Sequence, residues 1–369
     1  MPDALMTSPQ IIAEPAIQFA SSSQLTIWEV DPLQDSRWDA FIAKHTATSV
    51  FHSREWLTAL HRTYKYKALA LTTAGPERPL SDLVLLCEVN SWLTGRRLVS
   101  LPFSDHCDPL ISSQQTLDSL LLHARDRFNR GDDEYVEIRP RKSKPGVGTG
   151  FAPQVTYLLH RLDLSKNASE LFKNFHKDCV QRKIRRAERE KLRYEEGSSE
   201  QLLKDFYRLM VMTRRRQFLA PQPLAWFRGL IGSFGSELKI RVAYKDACPV
   251  ASILTLAYKK TLTYKYGCSD ARFNNLGGTQ LLFWSAILQA KEQGFEELDM
   301  GRSDRVNPGL IAFKEHWGAV GNPITYWTCP PRSESLPRWL RKEGIRKLIS
   351  VAPDVALQAA GTLLYRHIG

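Results

Sequence analysis

Residues 262–317 read LTYKYGCSDARFNNLGGTQLLFWSAILQAKEQGFEELDMGRSDRVNPGLIAFKEHW, and this stretch decides the fold. Its residue pattern predicts a strand over 261–268, and two adjacent glycines then precede an apolar-periodic helix over 278–293. A short strand at 297–300 and a short helix at 309–317 follow. A strand, a helix and another strand in this order are typical of a parallel α/β unit.

The rest of the chain repeats this order of elements. A leader rich in Ala, Pro and Ser occupies 1–24, and the Gly/Pro-rich loop 142–150 separates two halves at 25–150 and 151–330. Each half runs through helices, strands, a helix and a strand, and a basic amphipathic helical tail is predicted at 331–369. At about 150 residues per domain, 369 residues fit two domains. The sequence therefore predicts an α/β protein of two related units with mixed sheets.

Composition excludes several classes of protein. No run of about 18 apolar residues is present, so no transmembrane helix is predicted. The N-terminal residues lack a basic start followed by an apolar block, so no secretory signal is predicted. The six cysteines are scattered singly, which argues against both a disulfide framework and a zinc site. We therefore expect a cytoplasmic protein without a metal.

The net charge of +12 is concentrated in two segments, 161–219 and 332–347. In the first, Arg182, Arg185, Arg186 and Arg189 recur at helical spacing and form either a solvated face or a phosphate contact. The second lies in the tail, which either docks on the body of the protein or rests on an anionic membrane surface. Nucleic acid, a phosphate-bearing substrate and a membrane are the candidate partners.

The loop before the helix at 278–293 is a candidate anion site. It contains Asn275, Gly277, Gly278 and Thr279, which stand where the helix begins. Free N–H groups and the helix dipole attract anions there, and glycines allow a phosphate to approach the backbone. The alternative is an ordinary helix cap after a tight turn.

A polar turn follows the strand at 297–300. Asp299, Arg302, Ser303 and Asp304 stand at a strand end of the kind where open α/β sheets bind ligands. Either these side chains contact a substrate or an Asp–Arg pair fixes the turn. Lys314 lies in the next helix, where it stabilises an oxyanion or a phosphate, or else is a solvated lysine.

In the first half, a strand ends in the polar loop Leu101–Leu110, which includes Asp105 and His106. His106 is the side chain of this loop whose ordinary pKa lies near neutrality, so it is a candidate proton acceptor. The alternative is a loop whose carboxylates cap their own backbone.

Taken together, D299-M-G-R-S303 and F313-K-x-x-W-G318, with Y264-K-Y-G-C-S-D270 upstream, resemble the FemAB-type branch of the GNAT acyltransferase superfamily. The closest resemblance is to the BioF-like acetyltransferase domains of bacterial exopolysaccharide and exosortase gene clusters. It spans roughly residues 27–326 and includes L101-P-F-S-D105 and R182-K-I-R-R-A-E188.

The resemblance implies two tandem GNAT-like domains with a cleft between them, lined by Asp105, Tyr266, Asp299, Arg302 and Ser303. It implies transfer of an acyl or aminoacyl group from acyl-CoA or aminoacyl-tRNA to an amine or hydroxyl of a cell-envelope saccharide or peptidoglycan-type precursor.

Lys314 matches the lysine that lies at the reaction centre of peptidoglycan-bridge enzymes. Asp304 or His106 is then the base. GNAT enzymes that use acetyl-CoA carry an R/Q-x-x-G-x-G/A loop, which N274-N-L-G-G-T279 matches only in part, so the donor stays open.

Two other functions fit the same sequence. The basic run favours a non-catalytic module that binds nucleic acid or anionic glycan on a GNAT-like scaffold. The tail favours a scaffold for polysaccharide assembly that associates peripherally with the inner membrane face.

Overall fold

The computed structural model describes residues 25–130, 133–331 and 349–368. Its strands are β1 (Trp28–Val30), β2 (Lys67–Thr72), β3 (Val84–Ser91), β4 (Gly95–Val99), β5 (Asp133–Ile138), β6 (Ala152–Asp163), β7 (Arg193–Gly197), β8 (Leu238–Lys245), β9 (Cys248–Tyr258), β10 (Thr261–Ser269), β11 (Glu297–Ser303) and β12 (Val320–Cys329). Its helices are α1 (Trp38–Lys44), α2 (Arg54–Tyr64), α3 (Gln114–Arg130), α4 (Ala168–Asn174), α5 (Arg182–Arg189), α6 (Glu200–Arg216), α7 (Leu224–Phe234), α8 (Gly278–Glu292), α9 (Pro308–Glu315) and α10 (Asp354–Ile368). The predicted leader at 1–24 and most of the basic part of the tail lie outside the described residues.

All the described strands join one mixed sheet, in the order β1-β2-β3-β4-β5-β12-β6-β11-β10-β9-β8-β7. The two halves meet where β12 pairs antiparallel with both β5 and β6. Strand β12 therefore joins the first half to the second. The predicted α/β class is confirmed, whereas the domain boundaries stay predictions.

The two strands that the sequence did not predict lie at the edges of the sheet. β1 has only three residues, and β7 (RYEEG) carries three charged residues among five. Neither offers the apolar alternation by which a strand is predicted. Short, charged strands are typical of sheet edges because they discourage pairing with another chain.

One hydrophobic core extends across both halves on one face of the sheet. It contains residues of α2 in the first half and of α6 and α7 in the second. The rings of Trp56 and Trp226 meet edge to face with centroids 5.4 Å apart, and both side chains are fully buried. On the opposite face, α3 covers the first half, and α4, α5 and α8 cover the second.

Helix α10 docks on this shared core. A side chain on Gly361 would place its Cβ 1.9 Å from the carbonyl oxygen of Pro221, so only glycine permits this approach. Near the end of the helix, the His367 ring hydrogen-bonds Ser91 through Nδ1 at 3.0 Å, and the Tyr66 hydroxyl donates to the Tyr365 carbonyl at 3.2 Å. This part of the tail therefore packs on the body. Among the described residues, no helix combines the length and apolarity needed to cross a membrane.

Because the core is shared, we expect the Trp226→Ala variant to destabilise both halves together. Removing a fully buried tryptophan costs about 3–5 kcal/mol in the free energy of unfolding. Chemical denaturation followed by circular dichroism and by tryptophan fluorescence should give one shifted transition with both probes. Trp92→Ala is the control, because the Trp92 side chain is 79% exposed. Two separate transitions, only one of which shifts, would contradict a shared core.

Candidate active site

Strands β10 and β11 of the second half pair over only part of their length. They pair in parallel only from Thr261–Glu297 to Thr263–Asp299. Beyond this point each strand has a register shift against its other neighbour, between Tyr264 and Tyr266 in β10 and between Asp299 and Arg302 in β11. Such shifts are β-bulges, which redirect side chains and often lie beside active sites.

The D-M-G-R sequence explains the bulge in β11. The Oδ1 atom of Asp299 accepts the N–H of Gly301 at 2.7 Å, and Gly301 has φ of +71°, a conformation that favours glycine. The freed carbonyls of Gly301 and Arg302 accept hydrogen bonds from Nζ of Lys314, at 2.8 and 3.0 Å. The motif thus joins β11 to α9 through a buried lysine.

A loop from the first half reaches this bulge. A Cβ on Gly301 would lie 3.3 Å from Oδ2 of Asp105, so the loop approaches the bulge closely. Asp105 pairs with Nζ of Lys265 at 2.7 Å, and its backbone carbonyl accepts the Tyr326 hydroxyl at 2.7 Å. Asp105 therefore lies beside the bulge whose carbonyls accept hydrogen bonds from Lys314.

The charge of Asp105 is held among cations. Burial alone would raise the pKa of Asp105, but Lys265 and Arg302 lower it to about 2. The Lys265 ammonium also lies 5.2 Å from the Phe51 ring centroid. The Arg302 guanidinium lies 3.9 Å from Asp105 and stacks 4.2 Å from the ring centroid of Tyr157.

Lys314 is buried at the bulge. Its side chain is 2% exposed, and burial lowers its pKa to about 8 against the opposing influence of Asp105 and Asp299. An ammonium has three N–H donors, and two are used by the carbonyls of β11. One donor therefore remains for an oxygen of a reactant.

His106 and Asp299 form a second buried pair beside this lysine. Nε2 of His106 lies 3.0 Å from Oδ2 of Asp299, and the His106 side chain is 1% exposed. Burial would raise the pKa of Asp299, but the hydrogen bond from His106 lowers it. Nδ1 of His106 is buried with no hydrogen-bond partner among the described residues, which leaves one ring nitrogen for a ligand.

Three other predicted site residues have contacts of their own. The Asp304 side chain is exposed, and its carboxylate accepts the N–H of Val306 at 3.2 Å, as in a capped turn. Ser303 hydrogen-bonds His160, at 3.3 Å. The Tyr266 hydroxyl accepts Nε1 of Trp226 at 2.8 Å, within the shared core.

The predicted donor loop and the predicted basic run come together in space. Gly277 caps α8 with φ of +83°, and a Cβ there would lie 2.1 Å from the carbonyl oxygen of Lys183 in α5. Nζ of Lys183 donates to the carbonyl of Asn274 at 3.1 Å. Asn275 and Thr279 flank this contact, and Gly278 is buried against Val250. Helix α5 therefore crosses the N-terminus of α8.

The arginines of α5 face outward beside this crossing. Arg182 and Arg186 form exposed ion pairs with Asp178 and Glu190, at 2.7 and 2.9 Å. Arg185 lies 5.6 Å from the ring centroid of Phe172, and Arg189 is exposed. Exposed pairs of this kind contribute little to stability, so they leave these side chains available to an incoming anion.

A groove lies where the two halves meet, and sequence reasoning did not anticipate the residues that line it. Its volume is about 740 Å³, and its walls include Arg141 from the first half and Arg161 and Asn322 from the second. Arg161 also pairs with Glu297 at 3.1 Å, and burial raises the pKa of Glu297. Lys265 was missed as well, although Y-K-Y stood in the quoted motif, because its partner Asp105 lies in the other half.

Comparison with known proteins agrees with this geometry. Residues 175–315, which include α5, α8, the bulge and Lys314, match a family model described as an acetyltransferase (GNAT) domain. This segment is therefore similar to GNAT domains. The resemblance drawn from the sequence motifs is therefore confirmed, as is the prediction of an acyltransferase. No curated protein matches the sequence.

Several solved structures share the fold of most of the chain. FemX matches with a TM-score of 0.62 and 14% identity over 81% of this chain and 96% of its own. A tandem GNAT protein from the clavulanic acid biosynthesis pathway matches with a TM-score of 0.54 and 11% identity over 84% and 99% of the two chains. L-PGS from Bacillus licheniformis matches with a TM-score of 0.53 and 14% identity over 87% and 98%. At these identities the likeness shows the fold, two GNAT-like halves in tandem.

The burial of Asp105 predicts a pH dependence of stability. Its pKa is about 2 in the folded protein and about 3.9 when unfolded, a difference that corresponds to about 3 kcal/mol. Because the folded pKa is the lower one, this stabilisation is complete above about pH 4 and is lost as the pH falls toward 2. Urea denaturation at a series of pH values measures it.

In the Asp105→Asn variant we expect this part of the pH dependence to disappear and neutral-pH stability to fall by at least about 3 kcal/mol, because Lys265 loses its counter-charge. Asp39→Asn is the matched control, since the Asp39 side chain is 62% exposed in its pair with Arg54. An equal loss of stability and of pH dependence in both variants would contradict a specific contribution of the buried Asp105 carboxylate.

Proposed function

We propose that this protein transfers an acetyl, acyl or aminoacyl group to an amine or hydroxyl of a cell-envelope saccharide or peptidoglycan-type precursor. The observation that carries the proposal is the Lys314 ammonium. It is buried at the bulge of β11, and two of its three N–H groups bind the carbonyls of Gly301 and Arg302, which leaves one N–H for a reactant. The reaction takes place where the Asp105 loop of the first half meets the GNAT domain.

In this mechanism the acceptor nucleophile attacks the donor carbonyl, and Lys314 stabilises the oxyanion that develops. A hydrogen-bond donor that is already oriented, in a site shielded from water, stabilises such charge far better than solvent does. Asp105 and Asp299 keep the lysine charged, because both carboxylates raise the pKa of Lys314 against the effect of burial. Holding the two reactants in one cleft supplies much of the remaining rate.

The acceptor proton passes to a base, for which the His106–Asp299 pair is the better placed candidate. The unpartnered Nδ1 of His106 has a lone pair to offer when Nε2 donates to Asp299. This arrangement is that of an imidazole oriented by a carboxylate. Asp304 stands at the rim of the turn and is the second candidate.

The donor binds at the crossing of α5 and α8. Acyl-CoA and aminoacyl-tRNA share phosphate groups, and Arg182, Arg185, Arg186 and Arg189 present positive charge beside the start of α8. Arg216 lies nearby, since it donates to the carbonyl of Ser269 at 3.2 Å. The acceptor binds in the groove lined by Arg141 and Arg161, on the side where β11 begins.

We place the reaction at the cytoplasmic face of the membrane. The outward side of α10 carries exposed apolar residues, with Val355 at 77% and Leu363 at 57%. Trp92, 79% exposed, lies 5.2 Å from the ring of His367 near the end of the same helix. Exposed apolar side chains that follow a basic stretch of sequence are typical of peripheral association with anionic lipid.

A non-catalytic module that binds nucleic acid or anionic glycan is the second candidate. It is favoured by the exposed arginines of α5, which suit a phosphate backbone as well as a donor. The two functions differ in turnover, which the Lys314 variants test.

We expect the Lys314→Met variant to lose about 10²- to 10³-fold in kcat with acyl-CoA or aminoacyl-tRNA as donor, because the oxyanion loses a buried cation. The wild-type rate should fall above about pH 8, where Lys314 loses its proton. Lys314→Arg keeps its charge at high pH, so its residual activity should lack this alkaline decline.

The control for these rates is Lys260→Met, an exposed lysine that donates to the carbonyl of Gly294. Unchanged turnover in Lys314→Met would exclude the proposed role. Absence of turnover with every donor in the wild-type protein would favour the non-catalytic module.

We expect the double variant Arg185→Ala/Arg189→Ala to bind its donor about tenfold more weakly while kcat at saturation is retained. For a tRNA donor, the slope of the logarithm of the binding constant against the logarithm of salt concentration should also decrease in magnitude by about one for each lost phosphate contact. Arg228→Ala is the matched control, because Arg228 is an exposed, ion-paired arginine on α7. Equal weakening by the control would leave only a general charge effect.

A further inference from the structure

A cluster of one thiol and two imidazoles lies outside the site described above. His176, Cys179 and His316 each offer a ligand atom, and these atoms lie within 4.8 Å of one another. The centroids of the two imidazole rings are 4.3 Å apart. We propose that these three side chains bind a divalent transition metal ion, and that Zn²⁺ is the ion whose chemistry fits them best.

The donor set supports this choice of metal. Zn²⁺ binds thiolate and imidazole ligands in tetrahedral geometry at about 2.0–2.3 Å, so the three ligand atoms would have to approach each other by about 1 Å. Side-chain rotation suffices, since His176 is exposed and Cys179 and His316 are half-buried. The exposed side leaves the fourth position to water. A thiolate disfavours Mg²⁺ and Ca²⁺, which prefer oxygen ligands.

The backbone already holds the ligands near one another. The N–H of His176 donates to the carbonyl of His316 at 2.8 Å, which ties two segments distant in sequence. Cys179 lies in the π-helix Lys177–Gln181, which His176 caps, so these two ligands stand about one turn apart. His316 is the C-terminal cap of α9. Because the fold has already brought the two segments together, metal binding does not have to supply the free energy for that ordering.

Metal binding competes with one existing interaction. Nδ1 of His176 accepts the N–H groups of Asp178 and Cys179, each at 3.2 Å, and ligation by this ring gives up that cap. The Asp178 carboxylate is held by Arg182 and is not a ligand. Three protein ligands and a lost cap predict an affinity below that of a structural zinc site with four protein ligands.

The site is independent of the proposed acyl transfer, although its position gives it a consequence there. His316 follows Lys314 by two residues at the end of α9, and the π-helix runs directly into α5. A bound ion would clamp the helix that carries Lys314 to the start of the helix that carries the exposed arginines. We expect the ion to stabilise the fold through this clamp.

The test is titration of chelator-treated, full-length protein with Co²⁺, followed by visible and near-ultraviolet absorption. Tetrahedral Co²⁺ bound by a thiolate gives intense visible bands and a sulfur charge-transfer band. Cys179→Ser should abolish the charge-transfer band and weaken Co²⁺ binding by at least about tenfold, and His316→Gln should weaken it similarly. Zn²⁺ should displace the Co²⁺ stoichiometrically and raise the Tm of the wild-type protein but not that of Cys179→Ser or His316→Gln.

Cys248→Ser is the matched control, because Cys248 is also a half-buried free cysteine but belongs to no such cluster among the described residues. Its Co²⁺ spectrum should equal that of the wild-type protein. Both variants change a half-buried thiol to a hydroxyl, so circular dichroism should show them folded. A charge-transfer band that survives Cys179→Ser, or a wild-type protein with no tetrahedral spectrum, overturns the proposal.

Discussion

The buried carboxylate of Asp105 is the interaction on which the site depends. It belongs to a loop of the first half, yet the cations around it, Lys265, Arg302 and Lys314, all belong to the second. Two buried lysines and an arginine without a counter-charge would repel one another in a medium that screens poorly. The loop therefore supplies the negative charge that allows the second half to fold with this cluster of cations.

The bulge in β11 is the second element of this arrangement, and it has a local cause. Asp299 uses one carboxylate oxygen to hold the Gly301 N–H and the other to contact His106. One side chain thus fixes the backbone that receives Lys314 and orients the imidazole that we propose as base. A short motif can therefore organise the site, because each of its residues makes a different contact.

Much of the fold and part of the site could be predicted from the sequence. The strands and helices of residues 262–317 followed from periodicity and from paired glycines, and Lys314, Asp299 and Arg302 followed from the motif. Lys265 and the groove at Arg141 and Arg161 could not, since their significance depends on partners in the other half. Asp304 and Tyr266 looked equivalent to their neighbours in the sequence, but Asp304 accepts a hydrogen bond within its own turn and Tyr266 binds Trp226 in the shared core.

By itself the sequence determined the α/β class, the family and the positions of the motif residues, because these depend on local periodicity and on residues close together in the chain. Only the tertiary structure decided that the halves share one sheet and one core, that α5 crosses the start of α8, and that Cys179 lies between two histidines. Each of these joins residues far apart in the chain, and such a juxtaposition is fixed by packing and by strand order, which spacing along the sequence does not encode.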